Sequence, residues 1–168
     1  MKTPGSILIE DLKVSVYKIP TDLPEADGTI SWDSTTMILV EIIAGGKTGI
    51  GYTYAHEAAG VVIEKALKQI VVGKDAMNID GITSSLIKAI RNIGHVGIAM
   101  MAVFAVDNAL WDLKAKIFDV PLCVWLGQVK DEMLIYGSGG FNSFDEQQFE
   151  IHLGGRENEG ITYVYMKI

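Results

Sequence analysis

The run over residues 98–110, IAMMAVFAVDNAL, constrains the fold of this 168-residue chain more than any other stretch. It is apolar apart from Asp107 and Asn108, which predicts a helix buried on most sides and not an amphipathic surface helix. Thirteen residues fall short of a bilayer span, which needs roughly 20. Ala102, Ala105 and Ala109 are small enough for close packing, and Pro121 stands beyond the expected helix end, where proline is common. The expectation is the central helix of a packed core.

A chain of this length defaults to one domain with a sizeable core. Eighteen glycines against four prolines suggest many turns but no low-complexity tract. The net charge of −7 argues against a nucleic-acid partner, which favours a basic patch. A single cysteine, Cys123, has no partner for an internal disulfide, which points to a reducing compartment. Lys2, Glu10 and Asp11 leave no apolar signal-peptide region, so the expected location is the cytoplasm, with no membrane partner.

From the amino terminus, Leu12, Val14 and Val16 alternate with Lys13 and Ser15, which predicts a half-buried strand to about Ile19. Residues 20–33, PTDLPEADGTISWD, break the pattern and read as a long acidic loop, a class often functional. Residues 35–44 and 48–54 read as strands around the turn Gly45-Gly46, completing a three-stranded antiparallel meander. Gly46-Lys47-Thr48 lacks the upstream glycine and the following helix of a phosphate loop, and Gly49-x-Gly51 lacks its third glycine at Tyr54.

Residues 57–72 place Ala59, Val62, Ile63, Ala66 and Ile70 on one helical face. A next helix would start at an Asp80 cap, bury Ile82, Leu86, Ile90 and Ile93, and stop at Gly94. Strands followed by helices make an α+β pattern. After Gly127 the pattern changes. Residues 133–136 read as a strand, and Ser143 and Glu146 have capping-box spacing for a helix from Phe144 to near Gly154-Gly155. Residues 161–168 read as a further strand, so this part is a βαβ unit with parallel strands.

The segment from Ala105 to Lys116, AVDNALWDLKAK, followed by Pro121-Leu122 and Leu126-Gly127, resembles the enolase superfamily, mandelate racemase/muconate lactonizing enzyme branch. The resemblance implies an α+β capping domain, residues 1–127. It then implies the first strands of a (β/α)7β TIM-like barrel, residues 128–168. On this reading the chain is truncated. In the family this run is a structural signature and carries none of the chemistry.

The resemblance also implies the chemistry. Active-site groups in such barrels project from the carboxyl ends of strands. In the family a Lys-x-Lys pair ends the second strand, and its second lysine moves a proton at the carbon beside a substrate carboxylate. Here that position is Lys167, and Tyr165 replaces the first lysine. Residues i and i+2 share a strand face, and two lysines there would lower one another's pKa, as a general base requires. Tyr165 supplies a hydroxyl instead of that second charge. The resemblance places the Mg²⁺ ligands, carboxylates of later barrel strands, beyond Ile168, and the ion they hold would stabilise an enediolate. His56, His95 and His152 match no metal-ligand spacing. Trp32, Tyr54 and His56, in loops over the barrel mouth, and Ser138 at the end of the first barrel strand are the expected substrate-binding residues.

The implied activity is Mg²⁺-dependent proton abstraction from a small-molecule carboxylate, first of all by an acid-sugar dehydratase. A racemase or epimerase, a cycloisomerase, and a non-catalytic truncated homologue acting as an assembly or binding module are the alternatives. A homo-oligomer is the expected assembly.

Overall fold

A computed structural model describes residues 5–166. Lys167, the expected acid/base, lies outside the described residues. The chain divides into two compact units, one of Met1–Lys18 with Thr36–Gln128, the other of Ile19–Thr35 with Val129–Ile168.

In the first unit, strands β1 (Ile9–Ala26), β2 (Ser31–Ala44) and β3 (Lys47–Tyr54) form an antiparallel sheet in the order β1-β2-β3. β2 pairs with β3 from Met37 opposite Tyr54 to Ala44 opposite Lys47, around the turn Gly45-Gly46. Both turn glycines have positive φ, 57° and 71°, a conformation that L residues with a Cβ rarely adopt. Ile38, Val40, Ile42 and Ala44 alternate into the core and are fully buried.

The core is closed by helices. Two short α segments, α1 (Ala58–Val62) and α2 (Lys68–Val71), flank a π-helical turn over Ile63–Leu67. The buried stripe is Ala59, Ile63, Leu67 and Val71, each four residues from the last. In a regular α-helix that stripe would drift around the axis, and the wider winding of the π turn keeps it in line. Of the expected face, Ala59 and Ile63 are buried, whereas Val62, Ala66 and Ile70 are only partly so, and Leu67 and Val71 take their place.

The helix α3 (Ile79–Ala89) is capped by Asn78, whose side-chain oxygen accepts the Gly81 N–H at 3.3 Å. Asp80 stands in the first turn and is not the cap. Ile82, Leu86 and Ile90 are buried as expected, whereas Ile93 lies beyond the helix and is exposed.

The central helix α4 runs over Ile98–Ile117, a full turn and more past the apolar stretch. It ends in a Schellman arrangement. Asp119 takes the left-handed conformation at φ 56°, its N–H donates to the Lys116 carbonyl, and the Val120 N–H donates to the Ala115 carbonyl. Pro121 then leads into a short α5 (Leu122–Trp125). Lys114 Nζ lies 5.5 Å from the ring centroids of both Trp111 and Trp125, a paired cation–π contact that joins α4 to α5. Among the described residues no helix is long and apolar enough to cross a membrane.

The tightest packing in this unit is α4 on β3. A Cβ on Gly51 would sit 2.5 Å from the Ala109 nitrogen, and one on Gly49 would sit 2.6 Å from the Leu113 nitrogen. The two glycines, spaced at i and i+2 on one strand face, therefore let the helix backbone settle directly on the strand. β3 is an edge strand, and α4 also supplies partners for its outer backbone groups. Asp112 accepts the Ile50 N–H at 2.7 Å, and Lys116 Nζ donates to the Thr48 carbonyl at 3.0 Å. Asp112 and Lys116 are themselves paired at 2.7 Å. The edge is thus masked against pairing with another chain.

In the second unit β1 and β2 continue as a two-stranded arm closed by a turn at 27–30. Asp27 Oδ1 accepts from the Thr29 and Ile30 N–H groups at 2.7 and 3.0 Å. Residues 20–33 are therefore mostly strand and not the expected loop. Pro20 and Pro24 both lie in β1, an edge strand of the sheet, the kind of strand in which proline is tolerated.

The rest of this unit is the βαβ element, β4 (Gly137–Gly139), α6 (Glu146–Asn158) and β5 (Val164–Met166), with β4 and β5 parallel. Residues 133–136 carry no strand, and the pairing lies on the glycines after them. Asp145, not Ser143, caps α6. Asp145 Oδ1 accepts the Gln148 N–H at 2.8 Å, while Gln148 Oε1 accepts the Asp145 N–H at 2.9 Å. With both ends of that box satisfied, the helix runs through Gly154 and Gly155 to Asn158.

Two outcomes follow for the first unit. Gly51→Ala should lower stability by about 3 kcal/mol in urea unfolding, because the new methyl meets backbone that cannot yield. The Lys68 ammonium, 3.2 Å from Asp11, holds the Asp11 carboxyl below its ordinary value, helped by the Leu12 N–H. A depressed carboxylate pKa stabilises the fold above the unfolded value and loses that effect as pH falls through the folded one. The stability gap between wild type and Asp11→Asn should therefore be present at about pH 6 and close between about pH 4 and pH 2.

Candidate functional site

The βαβ element decides which side chains face away from its helix. A Cβ on Gly137 would sit 3.1 Å from Arg156 Cδ, and one on Gly139 would overlap the His152 ring. These two positions face α6. Ser138, between them, points to the opposite face. Tyr165 is its in-register partner on β5, and partners across a parallel pair share a face. Both are exposed, and the Tyr136 ring lies 6.1 Å from the Tyr165 ring. The helix-free face at this strand pair thus carries Tyr136, Ser138 and Tyr165. Tyr136 was not among the expected residues, although its spacing of two from Ser138 was a readable signal. These groups can donate or accept hydrogen bonds, and none of them is a cation.

Trp32 lies on the arm in the same unit and is half-buried. Its indole N–H donates to Glu25 Oε2 at 2.6 Å, and its ring meets Phe141 edge to face, centroids 5.7 Å apart at 88°. Its polar end is therefore spent on a carboxylate of the neighbouring strand.

Tyr54 and His56 belong to the first unit. Tyr54 ends β3, is exposed, and contacts Tyr52 edge to face at 5.9 Å. His56 is exposed, and its Nδ1 accepts the Ala58 N–H at 3.1 Å, satisfying one of the free donors at the start of α1. With Nδ1 an acceptor, the proton of the neutral ring sits on Nε2, which is left as the outward donor. His56 also borders an open cleft of about 500 Å³ lined by Val14, Val16, Val61 and Glu64. Gly60 opens this cleft, because a Cβ there would press on Val16 at 2.8 Å.

Among the described residues no three His, Cys, Asp or Glu side chains converge on a possible metal position. His152 Nε2 is buried without a hydrogen-bond partner among them, against Gly139 and the Phe144 ring.

Comparison with known proteins places this geometry. Residues 12–127 match the model for the mandelate racemase/muconate lactonizing enzyme N-terminal domain. L-talarate/galactarate dehydratase from Salmonella typhimurium is 33% identical over 144 residues, covering 79% of this chain and 36% of that protein. A mandelate racemase/muconate lactonizing enzyme-like protein from Rubrobacter xylanophilus superposes with a TM-score of 0.92 at 46% identity, over 96% of this chain and 45% of that one. A racemase from Streptomyces coelicolor, solved with bound magnesium, gives 0.91 at 29% identity, over 96% and 47%. The chain thus spans less than half the length of each of these relatives.

The bond that His56 accepts from the Ala58 N–H is separable from any contact its ring makes outward. His56→Ala should cost about 1 kcal/mol of stability, and His56→Asn, which keeps a side-chain acceptor, should recover most of that in thermal unfolding.

Proposed function

Because the chain belongs to the mandelate racemase/muconate lactonizing enzyme family, we propose that the full-length protein removes a proton from the carbon beside a substrate carboxylate, as an acid-sugar dehydratase. We take residues 1–127 as its capping domain and 128–168 as the opening of its barrel. The observation that carries the reading is the helix-free face shared by Ser138 and Tyr165 on adjacent parallel strands. In barrels, the carboxyl ends of such strands bear the chemistry. The similarity to a talarate/galactarate dehydratase supports an acid sugar as substrate and water as leaving group.

On this reading Lys167 is the acid/base, two residues after Tyr165 in sequence. It takes the proton in its neutral form, and a neutral amine near physiological pH requires a lowered pKa. Tyr165 contributes a hydroxyl at the place where a second cation would assist that lowering. Tyr165 and Ser138 then suit substrate hydroxyls, of which an acid sugar has several. Trp32, Tyr54 and His56 are proposed as substrate-binding side chains, His56 through its Nε2–H. Magnesium, when bound in an enzyme of this kind, supplies positive charge to the carboxylate as the neighbouring carbon loses its proton. The described residues do not fit an ion of this kind, and we assign its ligands to sequence beyond Ile168.

Racemisation or epimerisation is the second reading, favoured by the similarity to the Streptomyces coelicolor racemase. Cycloisomerisation uses the same first step. A non-catalytic binding module is the reading left if no acid sugar reacts.

The test is a panel of aldonic and aldaric acids given to the full-length protein with Mg²⁺, read by formation of the 2-keto-3-deoxy product. Lys167→Ala should lower kcat/KM by about 10²–10⁴-fold. Tyr165→Lys should move the acid limb of the pH–rate profile to lower pH, since a neighbouring cation disfavours protonation of Lys167. Turnover undiminished in Lys167→Ala would sink the assignment.

A further inference from the structure

We propose that the pair Tyr136 and Tyr165 selects the charge of the substrate, so that the site takes a polyhydroxy acid with one carboxylate (an aldonic acid) in preference to one with a carboxylate at each end (an aldaric acid). The inference rests on the acid-sugar reading above and narrows its substrate class. The two rings stand side by side, with centroids 6.1 Å apart and planes inclined at 55°. The Gly137 N–H donates to the Tyr163 carbonyl at 2.8 Å, so strand pairing already holds the backbone next to Tyr136. Tyr136 is 63% exposed and Tyr165 55%, which leaves both phenols open to a ligand. Among the described residues neither hydroxyl has a hydrogen-bond partner.

Cations are kept from this face. Among the described residues the second unit has Lys130 and Arg156 as its only cations, and carboxylates outnumber them several-fold. Arg156 is on the α6 side of the strands, where its Cδ would lie 3.1 Å from a Cβ on Gly137, and it pairs with Glu159 at 3.2 Å. His152 is on that side too, against Gly139. Lys130 lies before β4 and is followed by Asp131 and Glu132. The helix-free face therefore offers Tyr136, Ser138 and Tyr165, all neutral, and the sequence adds the single charge of Lys167.

A carboxylate that enters a closed site without a cation loses hydration that a phenol hydrogen bond replaces only in part. A sugar hydroxyl is exchanged at little cost, because a phenol both donates to it and accepts from it. The tyrosines thus match hydroxyls and add nothing to balance a second carboxylate. The excess of carboxylates in the unit opposes a dianion at longer range as well. Tyr165 is the residue that makes the site less cationic. Tyr136 is its positioning residue, since the ring beside Tyr165 limits where that phenol can turn.

Kinetics on the full-length protein with Mg²⁺ test this, with each aldonic acid paired with the aldaric acid of the same configuration, gluconate with glucarate and galactonate with galactarate. Wild type should favour the aldonic member by about tenfold or more in kcat/KM. Tyr165→Lys should reduce that preference by about tenfold. Tyr136→Ala should raise KM for the aldonic acid several-fold, and Tyr136→Phe, which keeps the ring, should recover most of the loss. An aldaric acid turned over as well as its aldonic partner would overturn the inference, and so would a preference unchanged in Tyr165→Lys. The wild-type ratio decides by itself if a variant does not fold. Turnover of no acid sugar, or turnover undiminished in Lys167→Ala, marks the failure of the enzymatic reading instead. Calorimetric titration of wild type with the same pairs then decides the charge selection, which stands if the aldonic acid binds more tightly and falls if the two bind equally or not at all.

Discussion

The approach of α4 to β3 is the contact on which the first unit depends. Helix and strand backbones come together where Gly49 and Gly51 leave no Cβ between them and the residues 105–113 of the helix. Close approach of this kind excludes a large residue from either side, and so it selects Ala105 and Ala109 on the helix as well as glycine on the strand. It also brings Asp112 and Lys116 within reach of the strand's free N–H and carbonyl. Dispersion, edge masking and charge-assisted hydrogen bonding are consequently concentrated on one helix–strand pair.

This geometry gives the run from Ala105 to Lys116 a physical meaning residue by residue. Ala105 and Ala109 meet the glycines, and Val106, Leu110 and Leu113 are buried in the core. Asp107 accepts the Thr83 hydroxyl of α3, which places the one charge of the apolar stretch at a helix–helix contact. Trp111 and Lys114 tie α4 to α5, and Asp112 with Lys116 completes the strand edge. A family signature built this way reports on architecture, and the chemistry has to be sought elsewhere in the chain.

The second unit was harder to read. Two prolines, a glycine and several acids over 20–33 look like a loop because those residues are poor central-strand formers. An edge strand tolerates them, and whether a strand is an edge depends on what lies beside it. The same applies to the cap of α6. Ser143 and Asp145 both have a suitable partner three residues on, and the hydroxyl of Ser143 goes to Pro24 instead. Ser138 and Tyr165 were legible as strand-end residues, whereas their common face required the register of β4 on β5 and the glycines packed on α6. The bond of the Trp32 indole to Glu25 was not legible either.

By itself the sequence determined the family, the sheet-then-helix order, the β2–β3 hairpin and the central helix. Each of these rests on local periodicity, turn chemistry or a contiguous run. Tertiary structure alone decided what the glycines at 49 and 51 are for, that 20–33 is an arm, and which residues share the helix-free face. These depend on partners remote in the chain, Ile50 with Asp112 at a separation of 62 residues and Pro24 with Ser143 at 119. A hydrogen-bond donor or a missing Cβ is a local fact, but what meets it is settled only when distant backbone is brought beside it.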